Sequence, residues 1–226
     1  MAEGARKITA EMLAEDPFHP SRVDFERGMS AAPVFAITLI SVNVLAFAWE
    51  LKVGALKSSA AIIAAGAIYG EKVFAGQSWR LATGMFLHGG FGHLLGNCAA
   101  LYMLGLPSER AWGRMRALFI YFFSGLTASF VSAFMQPRPA VGASGAIFGL
   151  FGAAVVFFYR YSGSLHLRDR RIGAGLFAWG AFQLAMGVLT PYVDNWAHFG
   201  GLGAGIVLGF SLPSGLFGDT APSVKA

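Results

Sequence analysis

Residues 195–213 read NWAHFGGLGAGIVLGFSLP. This stretch contains no Lys, Arg, Asp or Glu, and its length is that of a transmembrane helix, which needs about 20 mostly apolar residues. Small residues recur along it at every fourth position, at Ala197, Gly201, Gly205 and Gly209. In a membrane such a face of small residues lets two helix backbones approach closely. The stretch therefore predicts a membrane span that packs tightly against a neighbouring helix.

The composition of the whole chain also indicates a membrane protein. Of the 226 residues, 55% are apolar and 13% are charged, whereas soluble domains carry about 25% charged residues. One soluble core of this size cannot bury so many apolar side chains, so the surface must face lipid. The formal charge of +5 comes from basic residues in short clusters between apolar runs, a pattern that sets membrane topology. We therefore expect membrane lipid, and not nucleic acid, around this chain.

Six stretches qualify as membrane spans, some of them only marginally. They are residues 33–51, 84–106, 117–135, 142–159, 172–190 and 195–213. With the N-terminus inside, twelve of the 17 Lys and Arg residues lie on inner segments, as the positive-inside rule predicts. The apolar stretch 58–70 is too short to span, and counting it as a span would turn two Arg-rich loops outward. It is therefore predicted to be an interfacial or re-entrant piece of a long first loop.

These assignments divide the chain into three parts. Residues 1–32 are predicted to be a short cytoplasmic N-terminal extension, residues 33–213 a six-helix domain, and residues 214–226 a cytoplasmic C-terminal tail. The extension has mixed charge and lacks an early apolar core, so no cleavable secretory signal is apparent. The single Cys98 excludes an internal disulfide.

Five polar side chains within the predicted spans need an explanation, because polar groups in a bilayer are costly. They are His88, His93 and Asn97 in the second span, Ser144 at the head of the fourth, and His198 near the start of the sixth. Each of these even-numbered spans runs from outside to inside, and each residue precedes the midpoint of its span. Three helices therefore bring polar groups to a similar depth in the outer half of the membrane.

Taken alone, Ser144 and His198 each have an ordinary structural interpretation. A serine between glycines usually packs helices, and a lone histidine can hydrogen-bond a neighbouring helix. However, Gly145 and Gly149 on the fourth span repeat at the same spacing as the glycines of the sixth. If these two faces pack together, the serine and the histidine meet at the outer end. A serine hydroxyl becomes an effective nucleophile when a neighbouring imidazole takes its proton.

Attack on a peptide carbonyl also requires donors for the developing oxyanion. His93 and Asn97 are four residues apart and so share one helix face. The backbone N–H of Ser144, in the first turn of its helix, adds a third donor. We predict a Ser–His dyad, since Asp194 reads as a solvated loop acid and Glu50 as an interfacial one. A zinc protease is not indicated, because H-E-x-x-H is absent.

The motifs together resemble those of the rhomboid intramembrane proteases, in order over roughly 33–213. Gly142-Ala143-Ser144-Gly145 is similar to the family's GxSG motif, and Ala197-His198 with Gly201 and Gly205 to its AHxxGxxxG motif. His88, His93 and Asn97 match HxxxxHxxxN, Trp79-Arg80 resembles the WR pair of the first loop, and Glu109 sits where the family places an acid. Some relatives carry Tyr where this chain has Phe148.

The resemblance implies a six-transmembrane-helix bundle with a long, partly embedded first loop that contains Phe74 and Trp79. Ser144 and His198 would be the dyad, and His93, Asn97 and the Ser144 backbone the oxyanion hole. Structural support would come from the remaining motif residues, which are His88, Phe148, Gly142, Gly145, Gly201, Gly205, Trp79, Arg80 and Glu109. The substrates would be transmembrane helices cut near the outer face, with no metal or nucleotide cofactor. The membrane is predicted to be a bacterial inner membrane, with both termini cytoplasmic and the oligomeric state open.

Two other classes of protein fit the sequence less well than a protease does. A non-proteolytic rhomboid-superfamily protein that binds membrane clients typically lacks the Ser or the His, and both are present here. A small transporter would use polar groups near the midplane. The sequence shows neither an inverted repeat nor an embedded carboxylate suited to ion coupling.

Overall fold

The computed structural model describes residues 22–190 and 192–217, and the described chain is helical. Its α-helices are α1 (Val34–Val53), α2 (Ser59–Ala65), α3 (Gly70–Phe74), α4 (Arg80–Thr83), α5 (Phe91–Met135), α6 (Ser144–Arg160), α7 (Leu167–Leu189) and α8 (Asn195–Ser211). Short 3-10 turns lie at Glu26–Gly28, Ala55–Lys57 and Ser162–Ser164. Two isolated β-bridges pair Val23 with Leu165 and Ile68 with Ala140. The predicted all-α helical membrane bundle is confirmed.

The predicted extension (1–32) and tail (214–226) lie largely outside the described residues. The described end of the extension packs against the bundle, because the Asp169 carboxylate accepts the backbone N–H groups of Phe25 and Glu26. The Phe25 side chain is fully buried. Residues 22–28 therefore pack against the helical bundle.

Three of the described helices are long and apolar enough to cross a membrane, namely α1, α5 and α7. Helix α5 has 45 residues, or about 68 Å at 1.5 Å per residue, far more than one ~30 Å hydrocarbon core requires. It bends at Gly113, whose φ of 74° and ψ of 168° are not helical. The second and third predicted spans are therefore two halves of α5. Helices α6 and α8 have 17 residues each, and the count of six spans stays a prediction.

Two predicted boundaries around α5 are wrong. The loop predicted at 107–116 is helical except at Gly113, since a single residue with positive φ is enough to redirect the chain. The second span, predicted to begin at residue 84, begins instead at Phe91, after a non-helical segment at 84–90. Gly90 ends this segment with a φ of 152°, a value that is unfavourable for residues other than glycine.

The centre of the bundle is the crossing of α6 and α8, and the predicted packing of their glycine faces is confirmed. A Cβ atom added to Gly201 would lie 1.9 Å from the carbonyl oxygen of Gly145, and one added to Gly205 would lie 2.0 Å from that of Gly149. Carbon and oxygen atoms cannot approach so closely, so only glycine allows this separation of the backbones. Helix α6 is buried along most of its length, among α5, α7 and α8.

Candidate active site

Ser144 and His198 meet at one end of the α6–α8 crossing. Ser144 is the first residue of α6, and His198 lies in the first turn of α8. The Nε2 atom of His198 lies 2.9 Å from the Oγ atom of Ser144, within hydrogen-bonding distance. The glycine contacts that bring the two backbones together lie just beyond this pair. The arrangement suits transfer of the hydroxyl proton to the imidazole.

An aromatic ring holds the imidazole of His198. Phe148, one helical turn after Ser144, stacks on it with ring centroids 4.4 Å apart and ring planes tilted by 32°. The Nδ1 atom of His198 is buried, and no hydrogen-bond partner for it is found among the described residues. Phe148 is one of the motif residues expected to give structural support, and its ring lies against the imidazole.

Asp194 is not the solvated loop acid that the sequence favours. It is half-buried, and it caps α8 by accepting the backbone N–H of Ala197 at 3.1 Å. Its second oxygen accepts a hydrogen bond from the Ser132 hydroxyl on α5. Asp is a favoured N-cap residue, so its position directly before a predicted helix was the available sequence signal. With both oxygens engaged in this way, Asp194 anchors α8 to α5. Its backbone carbonyl oxygen accepts the backbone N–H of His198 at 3.3 Å, but within the described ranges its carboxylate makes no hydrogen bond to the His198 ring.

Two further donors converge beside Ser144. The Nδ1 atom of His93 accepts the backbone N–H of Gly89 at 3.3 Å, so in the neutral ring the proton is on Nε2. One turn later on α5, the amide nitrogen of Asn97 is buried without a partner in the described part of the chain. These donors can bind an oxyanion that forms on a group attacked by Ser144.

Gly142 lies at the point where these donors converge. A Cβ atom added to it would lie 2.8 Å from His93 Nε2 and 3.5 Å from Asn97 Nδ2. The φ of Gly142 is 131°, a value that glycine alone adopts without strain. Its backbone N–H donates to the carbonyl oxygen of Gly84 at 2.9 Å, which fixes the turn before α6. The glycine therefore leaves open the space that an oxyanion would occupy.

His88 lies behind the site, in the non-helical segment and not in the span where it was predicted. Its side chain is fully buried and does not line the cavity. The Nδ1 atom of His88 donates to the carbonyl oxygen of Phe86 at 3.1 Å. The centroid of the His88 ring lies 5.3 Å from that of the His93 ring. The backbone N–H of His88 donates to both carboxyl oxygens of Glu50. The prediction of an interfacial Glu50 is wrong, because this residue is fully buried in the bundle.

Arg80, Trp79 and Glu109 lie away from the cavity and hold other parts of the chain. Arg80 is buried, donates to the carbonyl oxygens of Ile63 and Ala67, and lies 4.6 Å from the Trp79 ring centroid. Glu109 accepts the backbone N–H of Phe35 and pairs with Arg114. Arg80 thus fastens the first loop, and Glu109 joins α1 to α5. The partly embedded position of the first loop stays a prediction, although Phe74 packs against Phe130 and Phe134.

A cavity of about 600 Å³ contains the site. Its wall includes Ser144, His198, His93 and Asn97, together with residues of the loops 136–141 and 190–194. These loops are the ones predicted to face outward. No group of three or more His, Cys, Asp or Glu able to hold a metal ion occurs within the described ranges.

Comparisons with known proteins identify relatives of the chain. A family model described as the Rhomboid domain matches residues 75–214. The chain is 33% identical over 189 residues to Rhomboid protease GluP of Bacillus subtilis, which covers 82% of this chain and 37% of the relative. It is 39% identical over 150 residues to RHOMBOID-like protein 5 of Arabidopsis thaliana, covering 65% of this chain and 48% of that protein.

Another plant protein, RHOMBOID-like protein 6, mitochondrial, is 40% identical to the chain over 157 residues. This match covers 69% of the chain and 50% of the relative. The chain therefore spans between about a third and a half of the length of these curated relatives.

Proposed function

This chain belongs to the rhomboid family, and we propose that it is an active intramembrane serine endopeptidase with Ser144 as nucleophile and His198 as general base. The observation that carries the proposal is the 2.9 Å separation of Ser144 Oγ and His198 Nε2. One similar relative is named a protease, which supports the same activity here. The presence of both residues, together with the converging donors, argues against a non-proteolytic client binder.

The proposed reaction begins when His198 Nε2 accepts the proton of the Ser144 hydroxyl while Oγ attacks a peptide carbonyl carbon. The C–O bond forms and the carbonyl oxygen becomes an oxyanion. Protonated His198 then gives its proton to the leaving amine as the C–N bond breaks, and an acyl-enzyme ester remains. Water, deprotonated by the same imidazole, hydrolyses the ester and restores the serine. A Ser–His dyad is sufficient for these proton transfers.

The oxyanion is proposed to be bound by His93 Nε2–H, the Asn97 amide and the backbone N–H of Ser144. The last of these donors lies in the first turn of α6, where backbone N–H groups have no acceptor within the helix. The helix dipole of α6 also favours negative charge at this end. Loss of a single donor of this kind typically lowers kcat by about 10²- to 10³-fold.

The chain is an integral, multi-pass membrane protein, so the proposed substrates are transmembrane helices. We propose cleavage near the outer face, because the cavity is lined by loops 136–141 and 190–194. The opposite end of α6 carries Arg160, and the Arg-rich loops lie on that side, as expected for a cytoplasmic face. A bacterial inner membrane with both termini cytoplasmic is the proposed location.

Cleavage of a transmembrane substrate tests the proposed function. The purified chain is reconstituted in liposomes with a fluorescently labelled single-span protein, and fragments are followed on gels. Wild type should cut the substrate, whereas Ser144→Ala and His198→Ala should show no cleavage above background. Phe210→Ala, an exposed position at the far end of α8, serves as a control with wild-type activity. Cleavage that persists in Ser144→Ala would overturn the proposal.

A further inference from the structure

Helix α1 reaches the candidate site through one buried carboxyl group. Glu50 lies in the last turn of α1 and is fully buried. Both of its carboxyl oxygens accept the backbone N–H of His88, each at 3.1 Å. An ionisable residue inside a membrane is costly, so it calls for a functional explanation. The proposed proton transfers do not use Glu50, which does not line the cavity.

The His88 amide belongs to the 84–90 segment, which contacts the oxyanion site from two directions. Toward its beginning, the Gly84 carbonyl oxygen accepts the backbone N–H of Gly142 at 2.9 Å. Toward its end, the Gly89 backbone N–H donates to His93 Nδ1 at 3.3 Å. The peptide that Glu50 holds is therefore next to the peptide that fixes the tautomer and ring orientation of His93.

This segment needs an external anchor. The amides of residues 84–86 donate to the preceding turn at 80–83, but no backbone–backbone hydrogen bond from the amides of 87–90 is found among the described residues. The segment ends in Gly89 and Gly90, and glycine has the greatest freedom in an unconstrained chain. The side chain of His88 closes the turn by donating to the Phe86 carbonyl oxygen. That contact is internal to the segment and does not locate it in the bundle. Glu50 supplies the link to a different helix.

We propose that Glu50 is a positioning residue of the oxyanion site. Its carboxyl group holds the 84–90 segment so that Gly89 keeps the Nε2–H of His93 directed toward Gly142. Without this anchor, His93 can rotate or change tautomer, and the oxyanion loses a donor. The inference rests on the proposed protease function, because it assigns Glu50 a part in the same reaction.

The test is a double-mutant cycle between Glu50 and His93, measured as kcat and KM on the reconstituted transmembrane substrate. Glu50→Leu should lower kcat by about 10- to 100-fold with little change in KM, as expected for a misplaced catalytic group. In a His93→Ala background, Glu50→Leu should lower kcat by less than about threefold further, because the two residues act through one contact. Glu50→Gln, which keeps an acceptor oxygen at the same position, should retain most of the activity.

Asn43→Leu is the matched control. Asn43 is as buried as Glu50 and lies two turns earlier on α1, and no hydrogen bond joins it to the 84–90 segment within the described residues. Its replacement should leave kcat near the wild-type value, whatever it does to the melting temperature. If Glu50→Leu cannot be recovered folded, Glu50→Asp, which withdraws the carboxyl group by one methylene, takes its place in the cycle.

Three results would overturn the inference: full kcat in Glu50→Leu (or in Glu50→Asp, where that variant replaces it), equal fold losses in the wild-type and His93→Ala backgrounds, or a loss matched by Asn43→Leu. Its failure can be told apart from failure of the proposed function. Wild type that shows no Ser144-dependent cleavage removes both, whereas normal Ser144-dependent cleavage with any of these three results removes only the role of Glu50.

Discussion

At the scale of single residues, the proposed chemistry depends on small groups as much as on the reactive ones. Gly142 is the clearest case, because its missing side chain leaves the space between His93 and Asn97 open. In the proposed reaction, the oxyanion formed when Ser144 attacks a carbonyl would enter that space. The nucleophile, its base and this empty volume therefore form one unit.

Gly142→Ala should lower kcat by at least about 10²-fold, since the new methyl group occupies the position of the oxyanion. Gly76→Ala is the matched control, because Gly76 also has a positive φ, of 97°, but no atom lies within 4 Å of its added Cβ. Both variants carry backbone strain, but only Gly142→Ala places a methyl group in the proposed oxyanion site. The kinetics of cleavage of the transmembrane substrate measure the difference. Equal losses in the two variants would contradict the proposed oxyanion site.

The four candidate site residues could be predicted from the sequence, but the buried contacts of Glu50 and Asp194 could not. Ser144, His198, His93 and Asn97 stand out because polar groups are rare in apolar spans, and the structure brings all four to one cavity. Glu50 and Asp194 lie at the ends of helices, where a charged residue usually faces water. Only the three-dimensional packing reveals that Glu50 is buried against His88 and that Asp194 contacts Ser132.

At the scale of helices, the α6–α8 crossing determines the distance between nucleophile and base. Ser144 and His198 lie on different helices, and the backbones touch at Gly145–Gly201 and Gly149–Gly205. No other pair of described helices makes so extensive a contact. A change in this crossing must therefore change the 2.9 Å separation of the reacting atoms.

Gly201→Ala should destabilise the protein and reduce its activity, because the added Cβ collides with the carbonyl of Gly145. Overpacking of this kind typically costs about 1–3 kcal/mol. Gly203→Ala, on the same helix with open space at its Cβ, should leave both the melting temperature and the cleavage rate near those of wild type. Thermal unfolding in detergent gives the comparison. A Gly201→Ala protein as stable and active as Gly203→Ala would show that the close crossing is not required.

Helix positions were predictable to different degrees. The glycine repeats at every fourth residue identify α8 and its packing face directly, because the spacing is itself the physical cause of the contact. The continuity of α5 was not predictable, since the Arg-rich residues 107–116 look like a loop although they are helical except at Gly113. Hydropathy also could not separate 84–90 from the span that follows it. In that segment the His88 N–H donates to Glu50, and the Gly84 carbonyl oxygen accepts the backbone N–H of Gly142.

At the scale of the whole molecule, the cavity and the arginine-rich loop lie at opposite ends of α6. The cavity lies at the end where α6 begins, whereas Arg160 and the 160–171 loop lie at the end where α6 finishes. The proposed orientation therefore has the site opening outward and the Arg-rich end inward. Composition alone identified a membrane protein, but only the positions of the arginines along the chain give this direction.

Cysteine accessibility in intact cells tests the orientation. In a Cys98→Ser background, Ala75→Cys in the first loop should react with a membrane-impermeant maleimide, because it is exposed on the proposed outer side. Gly163→Cys, exposed in the loop between α6 and α7, should react only after the cells are permeabilised. The reverse pattern would show that the membrane orientation is inverted and that the cavity opens on the cytoplasmic face.

Activation of Ser144 by His198 can be tested by labelling the purified protein with a fluorophosphonate probe, which reacts with activated serines. Wild type, Ser144→Ala and His198→Ala are compared, and the modified residue is located by mass spectrometry. Wild type alone should be labelled, with the adduct on Ser144. Equal labelling of all three proteins, or no labelling of folded wild type, would contradict activation of Ser144 by His198.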